Sequence, residues 1–270
     1  CRVLPMREAR VVARSEWRLF GDVVGALLVR ELKSRYGNYR MGYAWALLEP
    51  LFTISLFCFV FGLKQQQLFG GVEAPVFIAA GYLPFLIFRY CCSRLQKAVS
   101  ANINLFCFRQ ITPFTTLATR FLLECLIGIA TLIVLLAAFL WLGFKAMPAD
   151  PLGLLAGIFL LAMLGFAIGT IFCIVVSLFA EAEKLVAMFM RPLVWISCVY
   201  HPLAVVPQEY RHLLLWNPLV HALELIRNSW IANYPQAGAS WFYLSACTLV
   251  SLALALSGYR LFHQRLVSSS

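Results

Sequence analysis

Residues 28–50 read LVRELKSRYGNYRMGYAWALLEP. Arg30, Lys33 and Arg35 crowd a helical pattern in which Glu31 stands four residues before Arg35, a supportive helix pair. Gly37 and Asn38 interrupt it. Tyr39, Tyr43 and Trp45 then flank a turn into a long apolar run that begins near Ala44. Cations, then amphipathic rings, then hydrocarbon side chains describe a chain passing from cytoplasm through headgroups into a bilayer. This junction sets the orientation of everything after it.

The composition agrees. Of 270 residues, 62% are apolar and 13% charged, and mean hydropathy is +0.82. A soluble domain cannot hide that much apolar surface, so the chain reads as an all-α polytopic membrane protein. Its length accommodates six spans of about 20 residues with their connections and leaves no room for a second, soluble catalytic domain. A net charge of +10 would point to nucleic acid in a soluble protein. Here lysines and arginines collect on the cytoplasmic side of the membrane, and no nucleic-acid partner is expected. The nine cysteines include no C-x-x-C and sit mostly in apolar runs, where free Cys behaves as a small hydrophobe. Neither a disulfide framework nor a metal site is expected. Cys1 reads as a truncated or engineered start, and the first 43 residues lack the apolar core of a signal peptide.

Residues 1–43 read as a cytoplasmic tail followed by an interface helix. Trp17, Phe20, Val24, Leu27 and Leu28 recur at helical spacing, with Glu16, Arg18 and Asp22 elsewhere. Such a helix is too polar to span and suits the inner membrane surface, with Arg30, Lys33 and Arg35 as its cations; an ordinary packed cytoplasmic helix is the alternative. Residues 44–262 form the transmembrane domain. Its spans are expected at 44–63, from 75 into the Arg89–Lys97 region, and at 114–144, 152–179, 185–205 and 241–261. Residues 263–270 form a second cytoplasmic tail. With this arrangement eighteen of the twenty-two Lys and Arg fall inside and four outside, so both termini are cytoplasmic.

Two segments between spans are candidates for function. Residues 98–112, AVSANINLFCFRQIT, are too short and polar to cross and offer Asn102, Asn104, Phe106, Phe108 and Arg109 to whatever lies below. On spacing alone they read as a simple connecting loop. Residues 207–239 hold two apolar pieces broken by Pro218, each too short to cross about 30 Å of hydrocarbon. An outer re-entrant helix pair between spans five and six fits them, because such backbone is tolerated where protein covers it. Trp216, Asn217, His221, Glu224 and Arg227 would form an outer gate, the last three on adjoining turns. His221-x-x-Glu224 is a metal spacing without further ligands, and no metal is expected there.

Arg120 and Glu124 lie near a span end, where snorkelling or local pairing suffices, and are read as structural. The small-residue repeats Gly153-x-x-x-Gly157 and Gly165-x-x-x-Gly169 allow close helix contact, within a subunit or between subunits. Tyr82, Phe85, Tyr90, Trp195 and Tyr200 are candidate channel aromatics that could stack on sugar rings, although such residues far more often pack between helices or face lipid.

The chain also resembles a known family. RELKSRYGNYRMGYAWALLEP, GYLPFLIF at Gly81–Phe88, NINLFCFRQITP after it and, most specifically, LWNPLVHALEL within the 191–227 block look like the ABC-2-type polysaccharide export permeases. Among these they are most similar to the permeases of bacterial capsule polysaccharide exporters. The resemblance implies a homodimer with two separate ATPase subunits, a coupling helix at 98–112 seated in the ATPase, and an inner-membrane location. It implies a lipid-linked polysaccharide as substrate, passed through an aromatic-lined channel, with periplasmic and outer-membrane partners continuing the route. The chain holds no G-x-x-x-x-G-K-[ST], so ATP and Mg would be bound by the partner, and no cofactor is expected in this chain.

Two alternatives stand beside that reading. O-antigen and teichoic acid permeases share the plan. A membrane-embedded glycosyl- or acyltransferase is the rival from another class. It is disfavoured because Asp22 and Asp150 are the only aspartates and no histidine has catalytic neighbours. No catalytic residue is expected.

Overall fold

Helices begin where the sequence supplies proline in the first turn and a polar side chain just before it. The computed structural model describes residues 16–36, 42–62, 67–68, 72–108, 110–235 and 237–268. Its helices are α1 (Glu16–Tyr36), α2 (Gly42–Gly62), α3 (Ala74–Leu95), α4 (Pro113–Trp141) and α5 (Pro151–Leu178), followed by α6 (Ala182–Ile196), α7 (Gln208–Leu214), α8 (Pro218–Trp230) and α9 (Trp241–Ser268). Thr112 caps α4 in a reciprocal box with Thr115, Asp150 caps α5 through Gly153 N–H, and Asn217 caps α8 through Leu219 N–H. Proline follows each cap, where its missing N–H costs no helical bond. A two-residue hairpin, Gln67–Leu68 against Val72–Glu73, is the described β structure.

Among the described residues, four helices are long and apolar enough to cross a membrane: α3, α4, α5 and residues 241–263 of α9. Helix α2 has 21 residues and one ionisable position, Glu49. Over the expected fifth span, 185–205, the helix stops at Ile196, giving 15 residues, or about 22 Å at the α-helical rise. Pro192 lies inside it, and Cys198 turns the chain with φ 55°. The carbonyls beyond that turn are taken by a side chain of α8, described below, instead of extending the helix.

The core sits on α3, which is buried along most of its length, and on α5, which packs against α3, α8 and α9. The glycine repeats make that packing close. A Cβ on Gly169 would lie 2.9 Å from Leu95 Cβ, and one on Gly165 would lie 3.1 Å from Cys91 Cβ. Gly157 faces Ile226 of α8 in the same way. These small-residue contacts lie within the chain. By contrast, α4 and α9 turn Leu126, Ile133, Leu140, Leu249 and Leu254 outward, a surface suited to lipid.

The helix ends gather into two poles. At one lie α1, the 98–112 connection, the end of α3, the starts of α4 and α6, and the last turns of α9, where Tyr259 packs on Phe114 and Phe114 on Phe20. At the other lie α7, α8 and the 142–150 turn, joined by Asp150 N–H to Ser229 O (2.8 Å) and Trp230 Nε1–H to Ala146 O (2.8 Å). The tail 1–15, Gly37, Asn38, Tyr39 and Arg109 lie outside the described residues, as do the side chains of Tyr43 and Glu49.

Candidate functional site

A cleft of about 490 Å³ opens at the α1 pole between α1, the end of α3, the 98–112 connection and the first turns of α6. Five cations line it (Arg35, Arg89, Arg94, Lys97 and Arg120) against two acids, Glu31 and Glu183. Three of the cations are committed to carboxylates. Arg120 Nη2 lies 2.9 Å from Glu31 Oε1, Arg35 Nη1 lies 2.5 Å from Glu124 Oε1, and Lys97 Nζ lies 2.5 Å from Glu183 Oε1. Arg89 and Arg94 are exposed and have no ion-pair partner among the described residues. Among the described residues the cleft therefore holds more positive than negative charge, an arrangement suited to an anionic group.

The wall formed by α1 is held by a polar network. Glu31 Oε1 accepts from Arg120 Nε (3.0 Å) and Asn102 Nδ2 (3.3 Å), and Arg120 Nη1 donates to Arg94 O (3.0 Å). The expected i,i+4 pair Glu31–Arg35 is present at 3.6 Å. Burial alone would push the Glu31 carboxyl up, but the charge and hydrogen bond of Arg120, with help from Asn102 and Arg35, hold it below its ordinary value of 4.5. The i,i+4 spacing of Arg120 and Glu124 is not used for a local pair. Each side chain instead crosses to α1, Arg120 to Glu31 and Glu124 to Arg35, because both lie buried at the α1–α4 contact. Of the three interface-helix cations, Arg30 donates to Asn102 Oδ1 (3.1 Å), Arg35 is internal, and Lys33 is exposed.

Within 98–112 the chain forms a 3-10 segment, Ser100–Leu105. Asn104, Cys107 and Phe108 are exposed and Phe106 half-buried, whereas Asn102 is only 4% exposed and faces α1.

At the opposite pole the gate candidates separate into three environments. Arg227, fully buried, donates through Nη1 to Cys198 O (2.8 Å), His201 O (3.3 Å) and Glu224 Oε1 (3.2 Å), and through Nη2 to Val199 O. Its guanidinium lies 4.3 Å from the Phe77 ring centroid. Glu224 Oε1 also accepts from Tyr234 OH (3.0 Å) and Leu203 N–H (3.2 Å). His221 points elsewhere: its Nδ1 accepts from Ser240 N–H (2.9 Å), so the proton sits on Nε2, which donates to Leu215 O (2.8 Å). Trp216 is 80% exposed, and Asn217 joins its cap to a bond from Nδ2 to Ser197 Oγ (3.1 Å).

The aromatic candidates divide as well. Tyr82 and Tyr200 stack at 5.9 Å, Trp195 lies 5.2 Å from Tyr200, and Phe57, absent from the sequence candidates, touches both tyrosines at 5.3 and 4.7 Å. Phe85 is buried apart, in the core, and Tyr90 lines the cleft. Among the described residues no group of His, Cys, Asp and Glu is placed to hold a metal.

Comparison with known proteins matches residues 22–231 to the family described as ABC-2 type transporter. The chain is 36% identical over 258 residues to the polysialic acid transport protein KpsM of Escherichia coli, covering 96% of this chain and all of that protein. It is 28% identical over 236 residues to the capsule polysaccharide export inner-membrane protein BexB of Haemophilus influenzae, covering 87% of this chain and 89% of that one. Similarity to the O-antigen export system permease protein RfbA of Klebsiella pneumoniae is lower, 21% over 251 residues, covering 90% and 92%. A helical fold with several apolar helices of spanning length and a match over most of the chain place this protein in the ABC-2 type transporter family.

Proposed function

We propose that the chain is the permease subunit of an ATP-driven exporter that moves capsule polysaccharide across the bacterial inner membrane. The observation that carries this is the end-to-end similarity to KpsM, with BexB next and the O-antigen permease more distant. The chain itself is not an enzyme; ATP and Mg belong to a separate ATPase subunit. Two copies of the permease and two of the ATPase make the assembly, and further partners carry the polymer beyond the inner membrane.

In this reading α2, α3, α4, α5, α6 and α9 are the six spans, and the turn through Val205 completes the short α6 where protein covers it. Both termini and the cleft lie in the cytoplasm, a placement that the distribution of positive charge supports. The cleft receives the acidic end of a lipid-linked polymer on Arg89 and Arg94. Asn104, Phe106 and Phe108 face the ATPase from the coupling segment. Helices α7 and α8 dip in from the outside as a re-entrant pair, and Tyr82, Tyr200, Trp195 and Phe57 offer ring faces to passing sugars.

The test is deletion of the gene in its host, with complementation by the intact chain. Full-length polymer retained inside the cell, restored to the surface by complementation, is the expected result. Absence of polymer everywhere, with synthesis active in extracts supplied with this protein, would identify an enzyme instead.

A further inference from the structure

We infer that Asn102 fastens the 98–112 connection to α1, so that the two move together and a displacement of the connection changes the width of the cleft. The inference rests on the permease reading, in which the ATPase acts on that connection.

Asn102 is the exception in its segment. Ala101 and Asn104 around it are exposed, yet its own side chain is 4% exposed, so it is not available to a docked partner. Its backbone leaves helical values at φ −118° and ψ 15° within the 3-10 segment. The amide is used at both ends by α1: Oδ1 accepts from Arg30 Nη1 (3.1 Å) and Nδ2 donates to Glu31 Oε1 (3.3 Å). A third bond, Nδ2 to Ala98 O (3.0 Å), fixes the amide to its own segment. An amide that donates and accepts at once on two successive residues of another helix resists sliding as well as separation.

Glu31 extends the joint. The oxygen that receives Asn102 also receives Arg120, and Arg120 holds Arg94 O at the end of α3. The connection, α1, the start of α4 and the end of α3 thus form one block. Across the cleft stands the first part of α6, which buries only Val186. The direct ion pair between the two sides is Lys97–Glu183, with side chains 49% and 43% exposed. Such a pair is screened and weak. Force on the connection therefore meets strong resistance towards α1 and little towards α6, and the cleft between Ser34 and Ala187 is where the yield occurs.

The experiment uses the complete complex of permease and ATPase. Spin labels at Ser34→Cys and Ala187→Cys, in a chain whose native cysteines other than the buried Cys91, Cys92, Cys173 and Cys198 are changed to serine, report the cleft width without nucleotide and with ATP trapped by vanadate. The parent complex is expected to change its distance distribution between these states. Asn102→Leu keeps the branched shape of the side chain and removes the three bonds. It is expected to assemble and hydrolyse ATP, to lose most of the distance change, and to lower surface polymer roughly tenfold, a common scale for coupling between sites. An unchanged distance shift in this variant overturns the inference. If it does not assemble, Arg30→Gln, at an exposed residue, decides the matter: a reduced shift supports the joint and a full shift overturns it. A parent chain that never associates with an ATPase would refute the permease reading itself, a separate outcome.

Discussion

Arg120 places two nitrogens on a single oxygen of Glu31, Nε at 3.0 Å and Nη2 at 2.9 Å, joining α4 to α1 across 89 positions of sequence. Both side chains are largely buried. Glu31→Gln should therefore leave an uncompensated guanidinium at the helix contact and cost about 3 kcal/mol. The double change Glu31→Leu with Arg120→Leu removes both charges and should recover most of that loss. Thermal unfolding of the purified protein in detergent checks both; equal losses in the single and double variants would contradict the pairing.

The same pair dictates an acid limb. Glu31 is held below 4.5 in the folded chain, so its stabilisation is complete above its ordinary value and declines as pH falls through the lower, folded value. Melting temperature should fall in that range below 4.5, and Glu31→Gln should make this part of the profile shallower. A variant with an unaltered acid limb would assign the effect to other carboxylates.

Arg89 and Arg94 line the cleft without an acidic partner among the described residues. A charge-assisted contact contributes about 1.5–3 kcal/mol, so Arg89→Ala with Arg94→Ala should reduce polymer export roughly tenfold or more. Both side chains are exposed, and folding stability should change by less than about 0.5 kcal/mol per site. Surface polymer and melting temperature, measured on the same variants, separate the two effects. Wild-type export from the double variant would remove these arginines from substrate binding.

Arg227 is a different kind of cation. Carbonyls of Cys198, Val199 and His201 converge on it, and Glu224 neutralises it. Arg227→Lys supplies a charge but not the planar fork that reaches several acceptors, and should cost about 3 kcal/mol or more. Glu224→Ala should be destabilising by a similar mechanism, since it also abandons Tyr234 OH and Leu203 N–H. Gly81→Ala should mimic both, because a Cβ there would overlap the guanidinium and lie 2.5 Å from Val199 O. Yield and melting temperature of the membrane-extracted protein are the readouts. A stable Glu224→Ala protein that fails only in export would mark a gating role instead.

The long helices were legible because each carries an uninterrupted apolar run, and the Thr112-Pro113, Asp150-Pro151 and Asn217-Pro218 pairs announce where helices begin. The end of α6 was not legible. It depends on Arg227, 28 positions beyond Val199 in the chain, withdrawing the carbonyls that a longer helix would need. Arg120 and Glu124 carried the right spacing for a local pair, but burial against α1 gave each a partner that no local pattern encodes. Asn102 stood among exposed polar residues in the sequence, and only the turn of the 3-10 segment directs it inward. Phe57 joined the aromatic cluster through the packing of α2 on α3, which apolar periodicity alone does not specify.

The glycines of α5 bring Cys91 and Leu95 of α3 so near that a single methyl group has no place between the two helices. Shear along that seam would need side chains to climb over one another, so α3 and α5 are expected to move as one piece, together with the block that Arg94 O ties to α1. A stroke delivered through the connection is then expected to show as a displacement of that piece against the lightly buried α6.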